Sequence, residues 1–294
     1  MPYMMTDANT GIVPREWSDR LIVQPVTRLS VAMQVSTRIG TDANSLHLPR
    51  LTSDVSAAWT AEGATIAKSQ AGTDGYVAVP RKLAALATLS NELVRDSSPE
   101  AMALVGDSTA RVMAKELDTA WFGDLSAPAF AGLGSLEDVV ELELDGPISD
   151  ADAFVDAALL LEENGAHLTS YIASPATVRA ISKLKQAAGS NVPLVNPDVT
   201  VASGRTLNGR PLYSTPALEN DVIYGIAAAD VFTVFRNDIE LATSSGGDTF
   251  AADSTDIRGV MRVTGAYPRE ASIIRIFNSD EEGDLVTATV GSSV

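Results

Sequence analysis

The chain contains no cysteine and only two histidines, His47 and His167. Without cysteine there is neither a disulfide nor a thiolate ligand, and two isolated histidines do not make a histidine-rich metal site. The lack of cysteine agrees with a reducing compartment. No apolar run approaches the roughly 20 residues that a membrane-spanning helix requires. Residues Met1–Gly11 have no basic start and no apolar centre, so no secretory leader is expected there. Dense Lys/Arg clusters of the kind that bind phosphates are missing too; the richest stretch holds Arg179, Lys183 and Lys185. A protein that reads nucleic-acid sequence directly is therefore not expected. Motifs of nucleophile elbows and phosphate loops are also lacking, and Gly132-x-Gly134 is without the third glycine of a dinucleotide fingerprint.

What is present is a globular composition: 294 residues, 45% of them hydrophobic, with a formal net charge of -17. That length can bury one large core or two ordinary ones. The acidity favours solubility and opposes non-specific binding. It also makes copies repel, so any assembly needs apolar contact or screening by salt. No internal repeat or low-complexity tract is visible.

Met1 to about Asp19 is polar and turn-rich and lacks a core of its own. Leu21–Val35 should be extended or partly helical. From Leu46 to Leu93 the pattern predicts a long two-stranded excursion. Leu46 and Leu48 alternate around His47, Ala57 and Trp59 continue the alternation, and Glu62-Gly63 and Asp74-Gly75 are turn signals. Tyr76–Val79 is strand-like, and Pro80 interrupts it as an edge strand allows. Few large apolar residues lie between Thr60 and Gly75, so this hairpin should dock on something else. Leu83, Leu86, Leu89 and Leu93 also fit helical spacing, which periodicity alone does not settle.

The clearest helix follows. Ser98 can cap it, Pro99 suits its first position, and Ala101, Leu104, Val105, Val112, Met113, Leu117, Ala120 and Trp121 trace one face before Gly123 stops it. After a loop at Asp124–Gly134 comes an acidic-apolar segment, Leu136–Leu144. A second helix should start at a capping box of Ser149 and Asp152 and bury Phe154, Ala157, Ala158 and Leu161, ending at Gly165. A strand at Tyr171–Ala173 leads into Ser174-Pro175 and a third helix through Val178, Ile181 and Leu184, stopping at Gly189. The remainder reads as strands: a hairpin turning at Asn208-Gly209, then Val222–Ile226, Val231–Phe235, Ile239–Ala242, Ile257–Val263 and Ile273–Phe277, with a loop at Ser244–Thr249. The pattern is α+β, with helices and strands segregated into more than one layer.

The order of these pieces resembles a major capsid protein of a tailed bacteriophage, with the HK97-type fold. Ala58-Trp59-Thr60-Ala61-Glu62-Gly63 resembles the Trp-x-x-Glu-Gly of that family's extended loop. Leu89–Leu93 with Asp96 resembles the Ser-x-Glu-Leu and Asp before its spine helix, and Asn208-Gly209-x-Pro211 resembles the axial-domain hairpin. Phe250, Asp253, Arg258 and Arg262 resemble the peripheral-domain return, and Ala266–Ile276 the closing Pro-x-x-Ala strand. The likeness runs roughly from Val13 to Phe277.

It implies an HK97-like α+β capsid fold with four parts. These are an N-terminal arm (1–41), an extended loop (42–86), a peripheral domain (87–124 and 238–266, spine helix about 99–122) and an axial domain (125–237 and 267–294). It implies a structural protein, not an enzyme, whose hexamers and pentamers form an icosahedral shell around double-stranded DNA without reading its sequence. Scaffolding, portal and decoration proteins are the partners it suggests, with assembly in the bacterial cytoplasm and no membrane. No long helical stretch precedes the arm, so a built-in scaffolding segment is not expected. Three other readings are an encapsulin-type shell, disfavoured because Thr6–Gly11 does not look like a cargo-binding helix, a soluble carboxylate-dependent enzyme, for which no acidic pair stands out, and another phage structural protein such as a decoration or tail protein, against which the spine-helix region after an extended hairpin argues.

No catalytic, cofactor or metal residue is expected. Candidate contacts between subunits are Arg15, Trp17, Trp59, Glu62, Lys68, Tyr76, Arg81 and Arg258. Trp59 reads as a docking aromatic beside a turn in preference to a sugar-stacking residue. Lys68 lies where some relatives form covalent links to a neighbour's asparagine, a chemistry needing a desolvated lysine and a carboxylate base. Asp280, Glu281, Glu282 and Asp284 do not follow a calcium-loop spacing and read as a solvated tail.

Overall fold

A computed structural model describes residues 24–53, 55–92, 99–144, 146–148, 150–185, 192–193, 195–198, 200–220, 222–244, 246 and 248–278. Two short helices, α1 (Gln24–Leu29) and α2 (Ala32–Val35), lead into β1 (Thr37–Thr41). This corrects part of the expectation for the leading arm. Val26, Ala32, Met33 and Val35 are buried in the chain's own core, so the rear of the arm supplies its own cover.

A four-stranded sheet has the order β1, β11 (Phe232–Ser244), β12 (Ser254–Ala266), β4 (Arg81–Ser90). β1 runs parallel to β11, and the other pairs are antiparallel. β4 settles the ambiguity over the leucines. Leu83, Ala85, Ala87 and Leu89 point inward with period two, while Leu86 is exposed. The strands expected separately at Val231–Phe235 and Ile239–Ala242 are one strand, whose register shifts between Arg236 and Glu240. The expected loop at Ser244–Thr249 gives way to a short helix, α6 (Asp248–Ala251).

The long helix α3 (Pro99–Phe122) lies across the inner face of this sheet. Met113, Leu117 and Trp121 are fully buried, packed with Leu83, Ile257, Met261 and Val263. Val112, assigned to the apolar face by spacing, is 54% exposed instead. It neighbours Met113 in sequence, and a 100° step carries it out of the contact. Ser98 lies outside the described residues.

The second sheet has seven strands in the order β5 (Val140–Leu144), β13 (Ile273–Asn278), β10 (Val222–Ile226), β6 (Ser170–Ala173), β9 (Arg210–Ser214), β8 (Arg205–Leu207), β7 (Asn196–Pro197). Two helices, α4 (Asp152–Glu163) and α5 (Pro175–Lys183), share its core: Phe154, Leu161, Val178 and Ile181 pack with Ile223, Ile274 and Ile276. Ser174 caps α5 by accepting from Thr177 N–H at 3.1 Å, as the sequence indicates. α5 ends at Lys183, short of Gly189, which lies outside the described residues. α4 starts at Asp152, which a box led by Ser149 would put at the third helical position. Ala151 sits at the cap with no side-chain hydrogen bond, Asp150 accepts from Asp152 N–H instead, and Ser149 lies outside the described residues. Gly165 closes α4 with φ +69°, a conformation that only glycine adopts without strain. Asn208 and Gly209 both have positive φ, the signature of the tight hairpin between β8 and β9.

Candidate inter-subunit surface

β2 (Leu46–Ser53) and β3 (Gly72–Ala78) form a two-stranded ribbon that stands apart from both sheets. Its two ends differ. At the root, Leu46, Leu48, Tyr76 and Ala78 pack on Ile39, Phe232, Val234 and Ala266, on the face of the four-stranded sheet away from α3. Tyr76 is half-buried there, and burial pushes its phenol above the ordinary value although Tyr267 N–H donates to it. The sequence-based expectation that the whole hairpin lacks a partner is thus corrected for the root.

Beyond Leu51 the ribbon has no cover from its own chain. Every described residue from Leu51 to Gln70 is exposed. Trp59 stands wholly in solvent at 106% relative exposure, Ile66 at 75% and Leu51 at 64%. Strand pairing stops at Ser53 and Gly72, so the alternation expected to continue through Ala57 and Trp59 does not. The tip is held by few bonds: Ser56 N–H donates to Ser69 Oγ at 3.0 Å, and Gly63 turns with φ +80°. A two-stranded ribbon is marginal by itself, and an indole left in water forgoes on the order of 3–5 kcal/mol of burial.

Glu62 and Lys68 share this exposed tip with Trp59. Arg81 opens β4 as an exposed residue opposite Val263. Arg258 is engaged within the chain, its Nη2 lying 2.7 Å from Glu240 Oε1. Arg15 and Trp17 lie outside the described residues. The structure therefore leaves Trp59, Glu62 and Lys68 exposed on the ribbon's tip, seats Tyr76 at the root, and puts Arg81 and Arg258 on the sheet. Asp280, Glu281, Glu282 and Asp284 lie outside the described residues.

One arrangement was not legible in the sequence. The registers align Arg236 with Arg262 and Arg262 with Lys82, so three cations form a row across β11, β12 and β4. Residues directly opposite share a face, and this face also receives the hairpin root. Arg236 Nη1 donates to Asn44 Oδ1 at 2.8 Å, which orients one end of the row. The three residues come from segments far apart in the chain, and only strand pairing reveals that they are neighbours. Among the described residues no group of His, Asp or Glu is arranged to hold a metal ion, and no helix is long and apolar enough to cross a membrane.

The family model for the phage capsid family matches residues 10–276. The chain belongs to the phage capsid family. It is a structural protein of the capsid shell and not an enzyme, and its place is the virion. No curated protein matches the sequence. The fold is shared with solved structures despite low identity. A chain of Mycobacterium phage Adephagia is 16% identical with a TM-score of 0.66, covering 85% of this chain and 90% of that one. A structure titled the capsid of an empty GTA particle gives 16% identity and a TM-score of 0.69, with 95% of both chains covered. A chain of Gordonia phage Cozz gives 15% identity and a TM-score of 0.63, over 86% of this chain and 87% of that one. This capsid protein thus has the HK97-like fold, in mixed α+β form.

Proposed function

We propose that this capsid protein is the major shell subunit, assembling into hexamers and pentamers that close an icosahedral shell around double-stranded DNA. The observation that carries this is the ribbon tip, with Trp59, Ile66 and Leu51 projecting into solvent beyond the body. In this reading each subunit lends its tip to a neighbour and receives one. A contact of that kind is heterologous and closes into rings. Many such weak contacts acting together give the shell its stability. Trp59, Glu62 and Lys68 on the tip, Arg81 and Arg258 on the sheet, Tyr76 at the root and Arg15 and Trp17 in the arm are the proposed contact residues.

The proposed division is an arm at 1–41, an extended loop at 42–86, a peripheral domain at 87–124 with 238–266, and an axial domain at 125–237 with 267–294. The four-stranded sheet draws β1 from the arm and part of β4 from the loop, so arm and loop are anchored in the peripheral body. The net charge of -17 supports an inner surface that does not adhere to packaged DNA. Scaffolding, portal and decoration proteins complete the assembly in the bacterial cytoplasm.

Negative-stain electron microscopy of the chain expressed alone tests the reading. Shells, rings or capsomers are expected. A uniformly monomeric protein at high concentration and moderate salt would overturn it.

A further inference from the structure

The chain places a glycine after an aspartate or asparagine at Asp74-Gly75, Asp145-Gly146, Asn164-Gly165 and Asn208-Gly209. In such a pair the glycine nitrogen can attack the side-chain carbonyl carbon before it, since no Cβ on the second residue stands in the way. Asp145 lies outside the described residues. The fold treats the other three pairs differently. At Asn164-Gly165 both reacting groups are engaged elsewhere: Gly165 N–H donates to Glu162 O at 2.9 Å, and Asn164 Nδ2 donates to Leu160 O at 3.1 Å. Asn208-Gly209 is fixed in its hairpin turn with positive φ at both positions.

At Asp74-Gly75, on β3 of the ribbon, the two groups face each other. Gly75 N–H donates to Asp74 Oδ1 at 2.7 Å, which brings the nitrogen up to the carboxyl carbon. Arg50 Nη2 lies 3.5 Å from the other oxygen, Oδ2, and so holds the carboxyl in that orientation. Pro49, opposite Gly75 in the register, has no N–H to give to the ladder. The Asp74 side chain is 62% exposed, so water reaches it. We infer that Asp74-Gly75 is a site of spontaneous aspartate isomerisation in the folded chain. Keeping nucleophile and carbonyl in contact favours the intramolecular step. The Gly75 nitrogen bonds to Asp74 Cγ and gives up its proton, the carboxyl hydroxyl leaves, and the two depart as one water. A five-membered succinimide results. Water then adds to one of its carbonyls and breaks that carbon's bond to nitrogen. Breaking the Cγ–N bond restores aspartate; breaking the other leaves the main chain running through Cγ, as isoaspartate. The net change is an isomerisation that needs no oxidant. Isoaspartate adds one carbon to the backbone of β3 between root and tip. The pairs Leu51–Thr73 and Ser53–Gly72 then fall out of step with Leu48–Tyr76 and Leu46–Ala78. This chemistry is independent of the shell reading and gives the ribbon a finite chemical lifetime.

Purified protein is incubated in neutral buffer, folded or unfolded in guanidinium. Isoaspartate is read by methyl transfer from S-adenosylmethionine with a protein isoaspartyl methyltransferase, followed by peptide mapping. In the folded protein, label should accumulate faster in the Asp74 peptide than in the Asn164 peptide. In the unfolded chain the order should reverse, because an asparagine side chain cyclises faster than an aspartate one when no fold holds either. Asp74→Glu keeps the charge beside Arg50 but lengthens the ring to be closed, and should abolish the label at this site. Gly75→Ala, whose added Cβ meets no atom within 4 Å, should lower it by about tenfold. An Asp74 peptide that stays behind the Asn164 peptide in the folded protein, or the same order in folded and unfolded chains, would overturn the inference.

Discussion

Asp118 shows how one residue ties two segments that sequence reading left separate. It lies on α3, buried, and its carboxylate accepts from Ser30 Oγ at 2.6 Å, Val31 N–H at 2.9 Å and Ala32 N–H at 3.1 Å. It therefore caps the start of α2 from across the core. Burial raises its pKa above the ordinary value, opposed by the three hydrogen bonds. The folded chain thus holds this proton more tightly than the unfolded chain. The contribution of Asp118 is fully present below the unfolded-state pKa and diminishes as pH rises through the raised folded value. Asp118→Asn offers one acceptor oxygen to three donors and should cost about 1–3 kcal/mol. The stability gap between the parent and this variant, from urea unfolding at several pH values, should narrow as pH rises through the acid range. A gap independent of pH would contradict this assignment. Nothing in the sequence singles out Asp118 among the acidic residues, because its partners lie more than eighty positions away.

At the scale of elements, the long helix, the hairpin turn at Asn208-Gly209 and the capped start of α5 were legible because each depends on residues close in sequence: Pro99 and Gly123, a positive-φ pair, Ser174 and Pro175. The Trp59 and Glu62 tip was legible for the same reason. The cation row and the docking of the hairpin root were not, since they arise from pairing between β4, β11 and β12. Leu83 to Leu89 shows the difficulty most clearly: its leucines satisfied two periods, and only the partner strand decided. Because the root is anchored and the tip is uncovered, the two should separate on mutation. Removing residues 55–70 leaves β2, β3 and the cluster around Val234 intact. The shortened protein should unfold within about 1 kcal/mol of the parent, as surface changes do, yet form no particles in sedimentation. Particles of normal size from it would contradict the role given to the tip.

At the scale of the whole molecule, charge sets the conditions for assembly. Between Lys115 and Arg179 there is no lysine or arginine, while acidic residues recur throughout that stretch, so the seven-stranded half carries much of the net charge of -17. Copies brought together repel one another over roughly 10 Å at 0.1 M salt, and over roughly three times that distance at 0.01 M. Assembly followed by light scattering should therefore rise with ionic strength over this range. A fall would mean that cross-subunit ion pairs, not apolar cover, dominate. The balance proposed is apolar burial at the tip against diffuse repulsion elsewhere.

The account turns on whether Trp59 is covered by another copy. Oxidative footprinting with peptide-level mass spectrometry reads this directly, by comparing assembled particles with protein dissociated at low salt. Trp59 should be modified freely when dissociated and strongly protected when assembled, while the buried Trp121 stays protected in both. Equal modification of Trp59 in the two states would contradict the account.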